Sequence, residues 1–437
     1  MKNLFAALLM CGATIFSSAQ AAPQQATPVT ITREQAEELA LKSNPQITAS
    51  RLLALAEGQT TREARSAELP QILGNITASK AEDGSRIGAG QLTSSALYTH
   101  AGTGGTFSQL ITDFGYTHDL IATAKLRTKA QEQSVRATEQ DIIFATDQAF
   151  YRLLGAQSLL EVAQQTVAAR SSVSDQISAL TASKLKSDLD LKIAAADVSQ
   201  ARLLQLDAKN ALQSASATLA ALLAASPETE YEAVEDKGTA LPLPPDASAP
   251  LEEQALAQRP DLAALRYNSN ASQEFASAQS KQHLPTISAL AMGGVTPVRP
   301  DGVFPENWYA AGGVNLSLPI FTGFRISAEA KEARYRAQAQ QAQVANLSNV
   351  IQRDVRTATL AAQTAYQRIA VTEQFRSQAA QALSLAQTRY QLGLSSIVEL
   401  SQAQLQSTQA EVAAVNARYD YLLALRSLDY TKGDISH

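Results

Sequence analysis

The segment LALKSNPQITASRLLALAEGQTTREARSAELPQI, from Leu39, has a counterpart in QALAQRPDLAALRYNSNASQEFASAQSKQHLPTI, from Gln254. Pro45 answers Pro260 and Leu69-Pro70 answers Leu284-Pro285, at the same separation of 215 residues in both cases. Proline recurs at helix starts in any helical protein, but two such features at one spacing mark an internal duplication. Whatever this chain folds into, it must reach it twice.

Each copy predicts the same order of elements. A short helix precedes the first proline, a second follows it over about 46–68 or 261–283, and Leu-Pro stops that second helix. The periodicity then changes to that of strands, expected over about 72–82 and 104–112 in the first copy and 286–293 and 308–319 in the second. Val314, Leu316 and Leu318 fall on one face of the last strand, with Asn315 and Ser317 on the other. Gly-rich loops join the strands, from Glu82 to Gly105 and from Gly293 to Asn307. Ile111-Thr112-Asp113-Phe114-Gly115 and Pro319-Ile320-Phe321-Thr322-Gly323 end the hairpins.

Long helices follow, over about 116–180 and 324–392, each turning into a return helix over about 188–225 and 396–428. At ~1.5 Å per residue the outgoing helices would reach on the order of 100 Å. Val350, Ile351, Val355, Ala358, Ala362, Ala365 and Ile369 form a stripe of three- and four-residue steps along one of them. Aromatic residues make up only 5% of the chain, which suits closely packed bundles better than a bulky globular core. The Pro- and acid-rich stretch 226–250, with LPLPPD at its centre, is expected to run outside as a connector, and 431–437 as a frayed tail.

The N-terminus has the form of a secretory signal: Lys2, an apolar stretch from Leu4 to Phe16, and Ala19-Gln20-Ala21 as the cleavage site. A lipoprotein signal using Cys11 is the rival, with bulky Met10 against it. Cys11 is the single cysteine of the 437 residues, so the exported chain would have neither a disulfide nor a catalytic thiol. A net charge of −5 without a basic stripe argues against nucleic acid. The 4 histidines lie scattered without ligand spacing, so neither a metal nor another cofactor is expected. No nucleophile elbow, phosphate loop or acid pair suggests an enzyme. After the signal no apolar run is long enough for a helical span, which leaves a strand-built span open. One chain supplies four strands, so a barrel would have to be shared among chains. Trp308, Tyr309, Phe321 and Phe324 bracket the last strand where an aromatic girdle would sit.

In this order the duplicated SNP or QRP helix start, the ELP or HLP stop, the IFTG turn and Tyr390-x-x-Gly393 before Val398-Glu399-Leu400 resemble the TolC-like outer membrane efflux protein family. The resemblance covers residues 22–225 and 251–430 as two repeats. It implies a mixed α/β homotrimer in which four strands per chain build one twelve-stranded barrel in outer membrane lipid, continued by a periplasmic helical tunnel. A periplasmic adaptor and an inner membrane transporter, proton-driven or of the ATP-binding cassette type, would complete an efflux system. Type I protein secretion is the alternative, and a secreted coiled-coil protein a more distant one; a periplasmic adaptor would have one hairpin and a lipoyl-like domain.

The same resemblance assigns the helix turns to the periplasmic tip. Leu392, Gly393 and Leu394, with Lys184 and Leu185 in the other turn, would dock the adaptor, although the first turn lacks a glycine. Glu399 would face the pore, with Gln402 where some members carry a second acid. Asp188 and Asp190 would bond Ser395 or Tyr390 across the mouth as a latch. The member of that family best known for such closure carries an arginine where Ser395 stands, so the resemblance implies a weaker latch here.

Overall fold

The computed structural model describes residues 29–80, 86–89, 92–96, 100–226, 228–235, 241–295 and 308–435. The expected signal segment 1–21, parts of both strand loops and part of the connector lie outside the described residues.

In chain order the elements are β1 (Val29–Ile31), α1 (Arg33–Ser43), α2 (Pro45–Ser66), β2 (Gln71–Ser79), β3 (Arg86–Ala89), β4 (Leu92–Ala96), β5 (His100–Thr112), α3 (Tyr116–Ala182) and α4 (Asp188–Leu222). Then come β6 (Tyr231–Ala233), α5 (Ala249–Gln258), α6 (Pro260–Lys281), β7 (Thr286–Val295), β8 (Trp308–Ser317), α7 (Arg325–Gln391) and α8 (Ile397–Thr431). Three pairs of corresponding helices have equal lengths: 22 residues in α2 and α6, 67 in α3 and α7, 35 in α4 and α8.

Local chemistry explains the boundaries. Asn44 caps α2 by accepting the Gln46 N–H at 2.9 Å, and Pro45 and Pro260 occupy first-turn positions where their missing N–H costs nothing. Each hairpin enters its long helix through two consecutive left-handed residues, Phe114-Gly115 and Gly323-Phe324. The pair turns the chain sharply from the sheet onto the helix axis.

All four long helices close in one way. In α3 the Lys184 N–H bonds the Thr181 carbonyl at 2.9 Å and the Leu185 N–H bonds Leu180 at 2.8 Å. In α7 the corresponding bonds run from Gly393 to Tyr390 at 3.1 Å and from Leu394 to Arg389 at 2.8 Å. These are Schellman closures, which place one residue in the left-handed region. That residue is Lys184 in α3 and Ala224 in α4, but Gly393 in α7 and Gly433 in α8. The side chains of Lys184 and Ala224 therefore carry a left-handed cost of about 1–2 kcal/mol that glycine avoids. Part of that gain is lost to glycine's freedom in the unfolded chain, so Lys184→Gly and Ala224→Gly are each expected to stabilise by somewhat under about 1 kcal/mol. Thermal or chemical denaturation of the two variants measures it.

The largest apolar cluster gathers Ile31, Ile47, Phe150, Leu153, Leu219, Leu223 and Tyr419 from both termini and both halves. Along the helices the buried seam is mostly alanine, including Ala163, Ala194, Ala201, Ala362, Ala410 and Ala417, which lets helix axes approach closely. Among the described residues no helix is long and apolar enough to cross a membrane.

Three segments carry structure that the sequence expectation did not include. The connector is partly ordered: β6 pairs in parallel with β1, Val29 against Tyr231 and Ile31 against Ala233. Further on, Tyr421 donates its hydroxyl proton to the Pro242 carbonyl, and Gln363 Nε2 donates to the Pro245 carbonyl at 2.8 Å. The first strand loop contains the β3–β4 pair, and its return strand already begins at His100. Of the tail expected to fray, the described residues 431–435 are held. Gly433 accepts from Gln140 Nε2 at 3.1 Å, and Ile435 is buried.

Candidate functional site at the sheet and the helical tip

Strands β2, β5, β7 and β8 form one antiparallel sheet in that order. Directly opposed residues share a face, so the register sorts the side chains. One face carries Ile72 and Ile76 of β2, Phe107 of β5, Ile287, Ala289 and Val295 of β7, and Trp308, Val314 and Leu316 of β8. The other carries Asn75, Thr77, Thr106, Ser108, Ser288, Asn315 and Ser317, together with Leu73, Leu290 and Met292. The strongly apolar face is exposed: Ile76 is 87% accessible and Trp308 63%. Phe321 and Phe324, also exposed, meet edge to face at 5.7 Å beyond the helix-proximal end of β8.

Tyr309 is a correction. Adjacent strand residues point to opposite faces, so Trp308 and Tyr309 cannot belong to one girdle. Tyr309 lies opposite Gly294, which itself opposes Gly104. A Cβ on Gly104 would stand 2.6 Å from the Tyr309 hydroxyl oxygen. The ring thus spans two glycines on the more polar face, a packing role that the aromatic count alone did not reveal.

At the other end of the molecule, the α3–α4 and α7–α8 turns run side by side in sequence logic. Ser187 caps α4 by accepting the Asp190 N–H at 3.2 Å, and Ser396 caps α8 by accepting the Glu399 N–H at 3.4 Å. Asp190 and Glu399 therefore occupy equivalent first-turn positions, favourable for an acid near the positive helix end. Leu185, Leu392 and Leu394 are exposed, as are Lys184, Gly393, Asp188, Glu399 and Gln402. Under them, Tyr390, Ile397, Leu400, Ile177 and Ala194 form a small apolar cluster.

The structure gives Glu399 a partner that the sequence reading missed. Arg389 Nε lies 3.0 Å from Glu399 Oε1, and Arg389 Nη2 donates to the Leu394 carbonyl at 3.4 Å. Arg389 and Glu399 are equally distant in sequence from Leu394, and that symmetry about a helical turn was the available signal. Both side chains are about half exposed, so the pair contributes at most about 1 kcal/mol.

The expected bonds from Asp188 or Asp190 to Ser395 or Tyr390 are not formed within the chain. Tyr390 is buried, and its hydroxyl, like that of Ser395, has no hydrogen-bond partner among the described residues. Lys186 Nζ instead sits 4.1 Å from the Tyr390 ring centre, in cation–π contact. Burial, and secondarily the Asp190 carboxylate, raises the Tyr390 pKa. Tyr390 remains a protonated donor, facing no acceptor among the described residues of its own chain. Among the described residues no cluster of His, Cys, Asp and Glu could hold a metal ion.

Most of the described residues are helical, and the four-stranded sheet leaves an apolar face exposed. The chain matches the outer membrane efflux protein family over residues 37–225 and 251–433, and it belongs to that family. It is 22% identical over 432 residues to the outer membrane efflux protein BepC of Brucella suis, across 98% of this chain and 89% of that one. Its fold is shared with a membrane protein from Pseudomonas aeruginosa, with a TM-score of 0.81 and 22% identity over 92% of this chain and 93% of that chain. The CmeC outer membrane channel of Campylobacter jejuni gives a TM-score of 0.81 at 18% identity, over 93% and 87% of the two chains. The protein functions as the outer-membrane channel of a tripartite efflux system.

Proposed function

We propose that three copies close the sheet edges of β2 and β8 on one another to make a twelve-stranded barrel, with each repeat, 22–225 and 251–430, contributing one hairpin and three tunnel helices, about 46–68, 116–180 and 188–225 in the first and 261–283, 324–392 and 396–428 in the second. The observation that carries this reading is a four-stranded sheet with two open edges and an exposed apolar face. In hydrocarbon such a sheet is tolerable only when closed, because each unpaired N–H or C=O there costs several kcal/mol. Trp308 at one end of β8 and Phe321 and Phe324 beyond the other would mark the two membrane boundaries. Ten residues at ~3.3 Å, tilted as in a barrel, fit an apolar band about 25 Å tall.

At the tip, Leu185, Leu392 and Leu394 with Lys184 and Gly393 present apolar contacts to a periplasmic adaptor, through which an inner membrane transporter supplies the energy. The channel itself is passive and performs no catalysis. Glu399 from three chains would line the mouth, with Gln402 next to it as a neutral position. Arg389 tempers each carboxylate, so the ring is a set of ion pairs rather than bare charge.

That pairing gives the test a sign. In a planar bilayer, Glu399→Ala removes the acid and frees a cation, and is expected to shift selectivity away from cations by more than the loss of charge alone. Arg389→Ala should shift it the other way. Unchanged selectivity in both variants would remove Glu399 from the pore.

A further inference from the structure

Some way up the helices from the tip, α3, α4 and α8 of one chain enclose an open cleft of about 550 Å³. Leu203, Leu204, Leu405 and Val412 make its apolar lining, and Arg170 lines it as well. Arg170 is only 5% exposed. Its Nη1 donates to the Asp197 carbonyl at 3.1 Å and to Gln200 Oε1 at 3.2 Å, while its Nε has no partner. Among the described residues no carboxylate pairs with it. Burial lowers its pKa, with the Asp197 charge as the sole opposing influence. A buried cation held by neutral acceptors alone is expensive, and an anion brought to it recovers much of that cost. The repeat offers no second example, because the equivalent position on α7 is Ala379.

We propose that this cleft binds a small amphiphilic carboxylate, its head completing the Arg170 guanidinium and its apolar body resting on Leu203, Leu204, Leu405 and Val412. The volume lies within the range of small-molecule sites, and an apolar wall with one convergent charge is their usual composition. Asp207 lines the same cleft two helical turns beyond Gln200, roughly 10 Å along α4. It gives the far end a negative charge, so a monoanion or a carboxylate with a distal amine fits, and a dianion does not. The site is separate from the tip, and binding there does not depend on conduction.

Equilibrium dialysis of the full-length protein in detergent, with naproxen as the probe, tests the proposal against a protein-free detergent blank. The expected result is saturable binding of one naproxen per chain, weakened about tenfold or more for naproxen methyl ester, which lacks the charge. Arg170→Met, which keeps the apolar stem and loses the cation, should weaken naproxen by a similar factor. Val412→Trp fills the apolar lining with Arg170 intact and should reduce acid and ester binding together, a second route should the Met variant fail to fold. Absence of saturable binding, equal affinity for acid and ester, or wild-type affinity in either variant overturns the proposal. Retained channel conductance alongside such a failure would leave the transport function untouched.

Discussion

Replacing Arg426 by Met is expected to destabilise the folded protein by about 3–5 kcal/mol, because it strands the buried Asp147 carboxyl and takes one of two cations from Glu37. Arg426 Nε lies 2.6 Å from Asp147 Oδ2, its Nη2 lies 3.2 Å from Glu37 Oε1, and its Nη1 lies 3.3 Å from Asp429 Oδ2. Asp147 and Glu37 are buried, and Arg33 holds Glu37 from its other side. The cluster ties α1 to α3 and α8, three segments far apart in sequence. Burial and the neighbouring Glu37 push the Asp147 carboxyl up to about 7, against the pull of Arg426. An unfolded aspartate titrates near 3.9, so the folded chain binds more protons between about pH 4 and 7. The contribution of this group to stability is therefore fully present at the acid end of that window and lost as pH rises through about 7. Removing Arg426 should raise the Asp147 pKa further and extend the pH-dependent loss to higher pH. Denaturation of wild type and Arg426→Met across pH 5 to 9, away from general acid unfolding, would show both effects; a variant as stable as wild type at pH 8 would contradict the first.

The second large effect is expected in the sheet. A Cβ placed on Gly294 would meet the Thr103 carbonyl oxygen, stand 2.7 Å from the Gly104 Cα and lie 2.9 Å from the Tyr309 hydroxyl. Two of these obstacles are backbone of the neighbouring strand and cannot rotate away. Gly294→Ala should thus cost about 3 kcal/mol, the upper end of the range for overpacking, by forcing β7 from β5. Gly313→Ala is the internal control, since a Cβ there meets nothing within 4 Å. Thermal stability in detergent and the amount of folded protein in the membrane fraction should fall for the first variant and stay near wild type for the second. Equal behaviour of the two would refute the close approach of β5 and β7 at Tyr309.

These effects mark where sequence reasoning reaches and where it stops. Proline and glycine punctuation located the elements, because Pro45, Leu69-Pro70, Pro260 and Leu284-Pro285 act on the backbone within a few residues. Alternation in β8 revealed its two faces for the same local reason. The left-handed closure at Lys184 was obscured, since the usual glycine signal is absent and only the hydrogen-bond pattern exposes it. Arg426, Asp147 and Glu37 gave no local signal at all: their meeting depends on how three helices pack. Tyr309 looked like its neighbour Trp308 until the register placed it over glycine. The parallel β1–β6 pair, three residues long and some 200 apart in sequence, falls below any periodicity.

The open edges of the sheet bear on how the protein reaches its membrane. A solitary chain brings β2 and β8 with exposed backbone groups at both margins, and lipid offers nothing to satisfy them. If copies supply one another's missing neighbours, insertion becomes a collective event, steeper than linear in the number of chains present. Scarcity alone would then silence the pore, leaving a residue of unassembled chains and no partial conduit.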